Sequence, residues 1–233
     1  MTDYILYPLF ILAIILSFGA QIKVSSTFKK YARFAAGRGK TAAEVARRIL
    51  DSHGLFDVKI ELVRGHLSDH YDPRARVLRL SESVYSSSSA SAVGVAAHEV
   101  GHAIQHCEEY GPLVMRTKLV PIASFSSMFS WIAIVLGVLI MGFAGLSEVG
   151  IYFVYGGIIL FATTTLFHLV TLPVEFNASR RALTELELTG WYSGGELEAS
   201  RRVLSAAAMT YVAALAVSVI QLLRLLAMVR RND

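Results

Sequence analysis

Four long apolar stretches constrain this chain more than any other feature of its sequence. A transmembrane helix needs about 20 mostly apolar residues, because the hydrocarbon core of a bilayer is about 30 Å thick. The chain offers four such runs, at residues 4–22, 121–146, 149–172 and 203–223. The composition agrees, since 54% of the 233 residues are hydrophobic and only 17% are charged. The sequence therefore predicts a mainly α-helical protein with four transmembrane helices.

Basic residues predict the orientation of these helices. Six lysines and arginines lie within residues 23–40, directly after the first span, and none precedes that span. Because cytoplasmic flanks are enriched in Lys and Arg, we expect residues 23–120 to lie in the cytoplasm and the N-terminus to lie outside. The first span has no basic residue before it and is preceded by Asp3, so we interpret it as a retained anchor, not a cleaved signal peptide.

The C-terminal end fits this rule less well. Four spans place the C-terminus outside, together with three arginines that the rule would place inside, namely Arg224, Arg230 and Arg231. Two explanations are open at this point. Either the last helix is re-entrant, or the charges after the first span dominate the orientation.

The spans divide the chain into five segments. They are a transmembrane anchor at 1–22, a cytoplasmic zincin-like α+β catalytic lobe at 23–120, a transmembrane hairpin at 121–172, a cytoplasmic helical segment at 173–202, and a fourth transmembrane helix with its tail at 203–233. The lobe has just under a hundred residues, which is small for an independent core, so we expect it to need support from the membrane helices.

The first half of the lobe predicts one helix and two strands. Thr41 and Glu44 have the spacing of a capping box, which predicts a helix from Ala42 to Ser52. Alternating apolar and charged residues from Val58 to Leu62 predict a half-buried strand, and a second strand is predicted from Val77 to Leu80. Residues 66–74 between them are rich in turn formers, so a β-hairpin or small sheet is expected.

A helix predicted from Ala92 to about Glu109 carries the chemistry, with the serine run before it as a cap and Gly111-Pro112 as its end. It contains His98-Glu99-Val100-Gly101-His102, an H-E-x-x-H motif. At this spacing two imidazoles project from one face of a helix and can bind a single Zn²⁺ ion. Glu99 lies a step of about 100° around the helix, where it can act as the general base for a metal-bound water.

A catalytic zinc needs a third protein ligand. His106 would lie about 12 Å from His98 along the same helix and cannot easily join them. Glu175 is the best candidate, since it follows the membrane hairpin and returns to the same predicted side of the membrane. An interfacial Glu175 paired with Arg180 or Arg181 is the alternative interpretation. Other carboxylates are weaker ligand candidates, namely Glu108, Glu109, Glu185 and Glu187.

The chain resembles the YugP-like neutral zinc metallopeptidases, a family of membrane proteins. The resemblance is carried by residues 66–73 (HLSDHYDP), 78–82 (LRLSE), 93–106 and 172–176 (LPVEF), and it covers nearly the whole chain. More distantly the chain is similar to HtpX-like membrane peptidases, whose E-x-x-A-D motif follows a membrane hairpin and supplies the third zinc ligand. This resemblance implies that Glu175 is a ligand and that Ser179 stands where a carboxylate would support a ligand histidine.

These features together predict a membrane-embedded zinc endopeptidase that acts on membrane-associated or misfolded proteins. The oxyanion of the reaction needs a donor besides zinc, and the candidates are His70, Tyr71 and Arg180. The strand at Val77, Leu78, Arg79 and Leu80 could bind extended substrate backbone at its edge, although an ordinary hairpin strand is an equal alternative.

Two rival functions are open on the sequence. The metal site could be structural, in a non-catalytic membrane scaffold, if a further residue such as His70, His106 or Cys107 closed it. A transporter or channel has little support, because only His168 and Arg224 lie in or beside the spans. The chain lacks the aromatic-interleaved basic patch of nucleic-acid binders, so the expected partners are protein substrate and the lipid bilayer, with a second copy or a membrane partner left open.

Overall fold

The computed structural model describes residues 2–65, 68–143, 146–192 and 194–230. Most of them are helical. In chain order the elements are α1 (Thr2–Tyr31), a short 3-10 helix (Gly37–Gly39), α2 (Ala42–Ser52), β1 (Lys59–Val63), β2 (His70–Asp72), β3 (Val77–Ser81), α3 (Glu82–Tyr85), α4 (Ala90–Cys107), α5 (Gly111–Phe143), α6 (Ser147–Leu188) and α7 (Gly195–Arg230). Four of these helices, α1, α5, α6 and α7, are long and apolar enough to cross a membrane.

Each of the four predicted spans corresponds to one of these candidate membrane-spanning helices, and the helices extend well beyond the predicted spans. α6 has 42 residues, which is about 63 Å at 1.5 Å per residue, or about twice the hydrocarbon thickness of a bilayer. The span prediction followed uncharged runs, and charged residues end such a run without ending the helix. Ser147 and Glu148, which separate the second and third apolar runs, lie in the first turn of α6.

The chain folds as two compact units. The membrane unit consists of Met1–Phe18, Val114–Leu172 and Tyr211–Asp233, and the site unit consists of Gly19–Leu113 and Pro173–Thr210. Each unit has a hydrophobic core of its own. The long helices contribute to both units, so segments that are far apart in the sequence supply the site unit.

In the membrane unit, α5 and α6 approach closely at glycines. A Cβ atom on Gly157 would lie 2.7 Å from the carbonyl oxygen of Ser130, and one on Gly137 would lie 2.6 Å from the carbonyl oxygen of Gly150. Small residues allow this approach, and close backbone contact is a main source of attraction between helices in lipid. The neighbouring Gly156 has no atom within 4 Å of its Cβ position.

Arg224 joins the last helix to the first within the membrane unit. Its guanidinium lies 4.1 Å from the ring centroid of Tyr7 and 4.3 Å from that of Phe10, and it donates a hydrogen bond to Gln221. These cation–π contacts place the start of α1 and the end of α7 on the same side of the unit. Because α7 is one continuous helix, the re-entrant explanation for its arginines is wrong.

The site unit opens with the capped helix that the sequence predicts. Thr41 Oγ1 accepts from the Glu44 amide at 3.2 Å, and the Glu44 carboxylate accepts from the Thr41 amide at 2.8 Å. The α2 helix spans Ala42–Ser52, as predicted. It packs its buried face, which includes Val45 and Ile49, in the same core as Val93 and Val100 of α4. The core thus fixes the helix that bears the motif.

The sheet differs from the predicted hairpin. The two predicted strands, β1 and β3, pair in parallel, and an unpredicted strand, β2, pairs antiparallel with β3 in the order β1-β3-β2. β2 lies in the segment predicted as a turn, of which His66 and Leu67 are outside the described residues. The predicted half-burial of the first strand also fails in part, because Leu62 is 57% exposed.

The motif helix α4 begins and ends close to its predicted bounds. The hydroxyl of Ser89 accepts from the Ala92 amide and caps its start, which confirms the interpretation of the serine run. The helix ends at Cys107 with Glu108 as its cap. Gly111 and Pro112 do not end it, because they form the first turn of α5, a position where the missing amide of proline is tolerated.

The glycine contact in the membrane unit can be tested with a neighbouring pair of glycines. We expect Gly157→Ala to destabilise the protein by about 1–3 kcal/mol, because its Cβ would press on the α5 backbone. Gly156→Ala is the matched control and should be neutral or slightly stabilising. The measurement is thermal unfolding in detergent micelles, and equal melting temperatures for the two variants would contradict this packing.

Candidate metal centre

Two histidines from α4 and one glutamate from α6 converge in the site unit. His98 and His102 lie one turn apart, with ring centroids 4.8 Å apart and ring planes at 85°. Glu175 Oε2 lies 3.2 Å from His98 Nε2 and 3.6 Å from His102 Nε2. The three ligand atoms all lie within 4.8 Å of one another. Residues 77 positions apart in the chain thus point at one centre.

The donor set matches what zinc binds in proteins. Two imidazole nitrogens and one carboxylate oxygen form the two-histidine, one-glutamate set of catalytic zinc sites, which leaves a fourth position for water or substrate. Glu175 is only 2% exposed, and a buried carboxylate needs positive charge beside it. Burial alone would disfavour a charged His102, but the carboxylates of Glu175, 3.6 Å away, and of Glu99 raise the pKa of His102 above its ordinary value. The three side chains therefore surround a position that favours a positive charge.

A glycine in the motif lets the two helices approach. A Cβ atom on Gly101 would lie 2.7 Å from the carbonyl oxygen of Ala178 and 3.2 Å from its Cα. Real Cβ atoms do not approach a backbone oxygen so closely, so a larger residue would force α4 and α6 apart. The contact lies one turn after Glu175, which it brings within reach of both imidazoles.

Each ligand histidine has a hydrogen bond on its other ring nitrogen. Ser179 Oγ lies 3.1 Å from His98 Nδ1, so this hydroxyl stands where the resemblance implied a supporting group. Gln105 Oε1 lies 3.0 Å from His102 Nδ1. Such contacts orient a ligand imidazole and fix which nitrogen carries the proton. Sequence reasoning missed Gln105, although its position three residues after His102 on a predicted helix was a usable signal.

Glu99 lies partly buried beside the cluster. Its Oε2 accepts from the Tyr71 backbone amide at 3.1 Å, so β2 holds the carboxylate in place. Burial raises the pKa of Glu99, and the repulsion of Glu175 and Asp69 adds to this, against the attraction of the two imidazoles. A raised pKa makes a carboxylate a stronger base.

The predicted oxyanion donors are exposed or have other side-chain partners. His70 is exposed, and its ring lies near Ser68 and Arg79. The Tyr71 hydroxyl lies 2.9 Å from His106 Nδ1, so these two side chains are hydrogen-bonded to each other. Arg180 is exposed on α6. Among the described residues, the ligand cluster has three members and includes neither His70 nor His106.

The alternative ligands and pairings are also placed elsewhere. Glu108 binds Arg181 through two hydrogen bonds of 2.9 and 2.6 Å, and Glu185 pairs with His53 at 3.0 Å. Glu109 and Glu187 are exposed. Arg181 is therefore not the partner that the interfacial interpretation of Glu175 required. Cys107 is exposed.

The predicted substrate strand is not free to pair. β3, which contains Val77, Leu78, Arg79 and Leu80, lies in the middle of the sheet with β1 on one side and β2 on the other. The prediction that it binds substrate at its edge is therefore wrong, because both of its edges already carry main-chain partners. The strands with an unpaired edge in the described sheet are β1 and β2.

Comparisons with known proteins agree with this chemistry. Residues 6–230 match the family described as "Putative neutral zinc metallopeptidase". The chain is 51% identical over 214 residues to the "Putative membrane protease YugP" of Bacillus subtilis (strain 168), an alignment that covers 92% of each chain. No solved structure matches the chain.

The close approach at Gly101 predicts a specific defect in metal binding. We expect Gly101→Ala to weaken zinc binding by about tenfold or more, because displacing the helix backbone separates Glu175 from the imidazoles. Gly94→Ala is the control on the same helix, where the nearest atom is the side chain of Ser200 at 3.2 Å. Zinc affinity is measured by competition with a chelator, and an equal effect of both substitutions would contradict the proposed role of this contact.

Proposed function

This chain belongs to the neutral zinc metallopeptidase family, and we propose that it is a zinc-dependent endopeptidase embedded in the membrane. Its substrates would be membrane-associated or misfolded proteins. The observation that carries the proposal is the convergence of His98, His102 and Glu175 beside Glu99. A cluster of that kind, with a carboxylate next to it, is suited to metal-assisted hydrolysis.

We propose that His98 Nε2, His102 Nε2 and one oxygen of Glu175 hold the zinc ion. When bound, zinc would polarise the scissile carbonyl and lower the pKa of a water molecule to about 7. The remaining tasks fall to the side chains of this chain. Ser179 and Gln105 keep the two imidazoles in a fixed orientation, which preserves the geometry from one turnover to the next.

Glu99 is the proposed general base. Its carboxylate would take a proton from the attacking water and return it to the leaving amine. The Tyr71 amide bonds one of its oxygens, which orients the carboxylate while the other oxygen can accept the proton. The raised pKa of Glu99, caused first by burial, helps it hold that proton between the two steps.

The rival proposal of a structural metal site requires a fourth protein ligand. The residues that could have closed the site are His70, His106 and Cys107, and none belongs to the described cluster. His106 is instead bonded to the Tyr71 hydroxyl. Three ligands with a neighbouring base favour catalysis over a scaffold.

The transporter alternative has no comparable support. Arg224 is stacked on Tyr7 and Phe10, and the polar Thr165 and Ser218 side chains bond each other at 2.7 Å. These contacts join one helix to another, as polar residues between membrane helices commonly do. Among the described residues, these side chains therefore do not form an evident ion pathway.

Substrate backbone is proposed to bind at β2 in place of β3. The Tyr71 amide donates to Glu99 and not to β3, so an unpaired edge of β2 faces the motif helix. An extended peptide added there would lie beside the base and would pair with the β2 backbone groups that the Tyr71–Glu99 bond does not use, with little sequence preference. His70, Tyr71 and Arg180 remain the proposed donors to the oxyanion, and the Tyr71 hydroxyl would first have to leave His106.

The site is proposed to face the cytoplasm. Six exposed basic residues follow the first span, at Lys23, Lys29, Lys30, Arg33, Arg38 and Lys40, and such residues favour the cytoplasmic side. They would also contact anionic headgroups of the bilayer. Association with a second copy or another membrane protein is the remaining proposed interaction.

Two isosteric substitutions separate metal binding from proton transfer. We expect Glu99→Gln to retain zinc and to lower peptidase activity by about 100- to 10,000-fold, because the amide cannot take the proton. Glu175→Gln should lose zinc affinity and activity together, since it removes the charged ligand. Zinc content and cleavage of casein are measured on the detergent-purified protein.

The matched control is Glu108→Gln. Glu108 follows the last residue of α4, the helix that carries Glu99, and its carboxylate binds Arg181 outside the cluster. It should leave zinc content and activity near the wild-type values. Full zinc retention by Glu175→Gln would move the third ligand elsewhere. Full activity of Glu99→Gln would remove Glu99 as the base.

Labelling of the single cysteine, Cys107, tests on which side of the membrane the site lies. Cys107 is exposed in the site unit, so a membrane-impermeant maleimide should label it in inverted vesicles and not in intact cells. A Cys107→Ser variant that carries Leu146→Cys provides the opposite control, because Leu146 is exposed between α5 and α6 and is predicted to lie outside. Labelling of Cys107 in intact cells would reverse the proposed orientation.

A further inference from the structure

Gln105 is a fully buried polar side chain with three polar partners. Its Oε1 lies 3.0 Å from His102 Nδ1, and its Nε2 donates to the carbonyl oxygen of Val174 at 2.9 Å and to Asn177 Oδ1 at 2.9 Å. It is 0% exposed. A buried amide with every hydrogen-bonding group engaged is costly to replace.

These contacts determine the orientation of the Gln105 amide and which ring nitrogen of His102 carries a proton. The Val174 carbonyl can only accept, so the NH2 group of Gln105 must face it and the carbonyl oxygen of the amide must face His102. Asn177 Oδ1 also accepts from Arg181 Nε at 2.8 Å, which is consistent because both of its partners are donors. His102 Nδ1 then has to carry the proton that Gln105 Oε1 accepts.

We propose that Gln105 is a positioning residue that holds His102 in the Nδ1-protonated form, so that Nε2 keeps its lone pair for the metal. The inference rests on the proposed zinc site and adds a residue to it. In many metal sites a carboxylate or a backbone carbonyl supports a ligand histidine. Here a neutral amide takes that role, which avoids a third carboxylate beside Glu175 and Glu99.

Gln105 also holds the third ligand in place. The Val174 carbonyl that it bonds belongs to the residue before Glu175, so one side chain on α4 orients His102 and fixes the α6 backbone beside the carboxylate. The chain of contacts continues from Asn177 through Arg181 to Glu108, where the ion pair is partly exposed. The geometry of two ligands on different helices thus depends on one amide.

The test compares zinc affinity with the stability of the metal-free protein. Gln105→Met has a similar length and no hydrogen-bonding groups, and we expect it to weaken zinc binding by roughly 10- to 100-fold. Gln105→Glu keeps an acceptor for His102 but sets its other oxygen against the Val174 carbonyl and Asn177 Oδ1, so it should restore only part of the zinc affinity that Gln105→Met loses. Affinity is measured on the full chain in detergent by competition with a chelator, and no peptidase assay is involved.

Ser200→Ala is the control for a purely structural role. Ser200 is also fully buried and donates to the Ala90 carbonyl at the other end of α4. It should lower the melting temperature of the metal-free protein and leave zinc affinity within about twofold of wild type. If Gln105→Met also binds zinc within that range, the proposed role of Gln105 is overturned.

If Gln105→Met does not fold, a measurement on the wild-type chain tests which nitrogen of His102 carries the proton. Nitrogen-15 NMR of labelled histidine in the metal-free protein, at alkaline pH, distinguishes the two neutral forms of an imidazole. The His102 signal is assigned by its loss in His102→Gln. A proton on Nδ1 supports the inference and a proton on Nε2 overturns it. Zinc binding without hydrolysis would refute the proposed function alone and leave this inference intact.

Discussion

The structure of the site depends on a buried carboxylate held between two imidazoles. Glu175 is 2% exposed and would be unstable there without positive charge. Nε2 of His98 and Nε2 of His102 lie 3.2 and 3.6 Å from the same oxygen, around a position where a zinc ion would supply that charge. This contact requires α4 and α6 to touch, and Gly101 makes that contact possible because any larger residue would meet the Ala178 carbonyl. The motif is therefore a packing element as well as a set of ligands.

The second nitrogen of each imidazole matters as much as the first. Ser179 bonds His98 and Gln105 bonds His102, so both rings are held from behind while their Nε2 atoms face Glu175. Ser179 lies four residues after Glu175. The amide of Gln105 donates to the carbonyl of Val174, the residue before Glu175. One turn and a half of α6 therefore supplies a ligand, a support for one histidine and an anchor for the support of the other.

The membrane and site units obey different packing rules. In the membrane unit, large apolar side chains such as Ile15 and Phe18 are exposed, as expected where lipid is the solvent, and close contact relies on Gly137 and Gly157. In the site unit, aliphatic residues of α2, β3 and α4 fill a buried core. The three-stranded sheet extends that core and places the Tyr71 amide against the general base.

The sequence by itself determined the four apolar spans, the capped α2 helix and the motif, because each follows from periodicity or spacing within one segment. Glu175 was only the best of several carboxylates, chosen from its place after the membrane hairpin and from the family resemblance, and the tertiary structure brings it to the two histidines. The sequence did not determine strand order: β1 and β3 pair in parallel, and the short β2 lies among turn-forming residues. Nor could it identify Gln105 as a support for His102, since the contacts that orient its amide come from Val174 and Asn177 on another helix. Local patterns specify which residues can bind a metal, whereas only tertiary packing decides which groups surround them, because those groups are far apart in the chain.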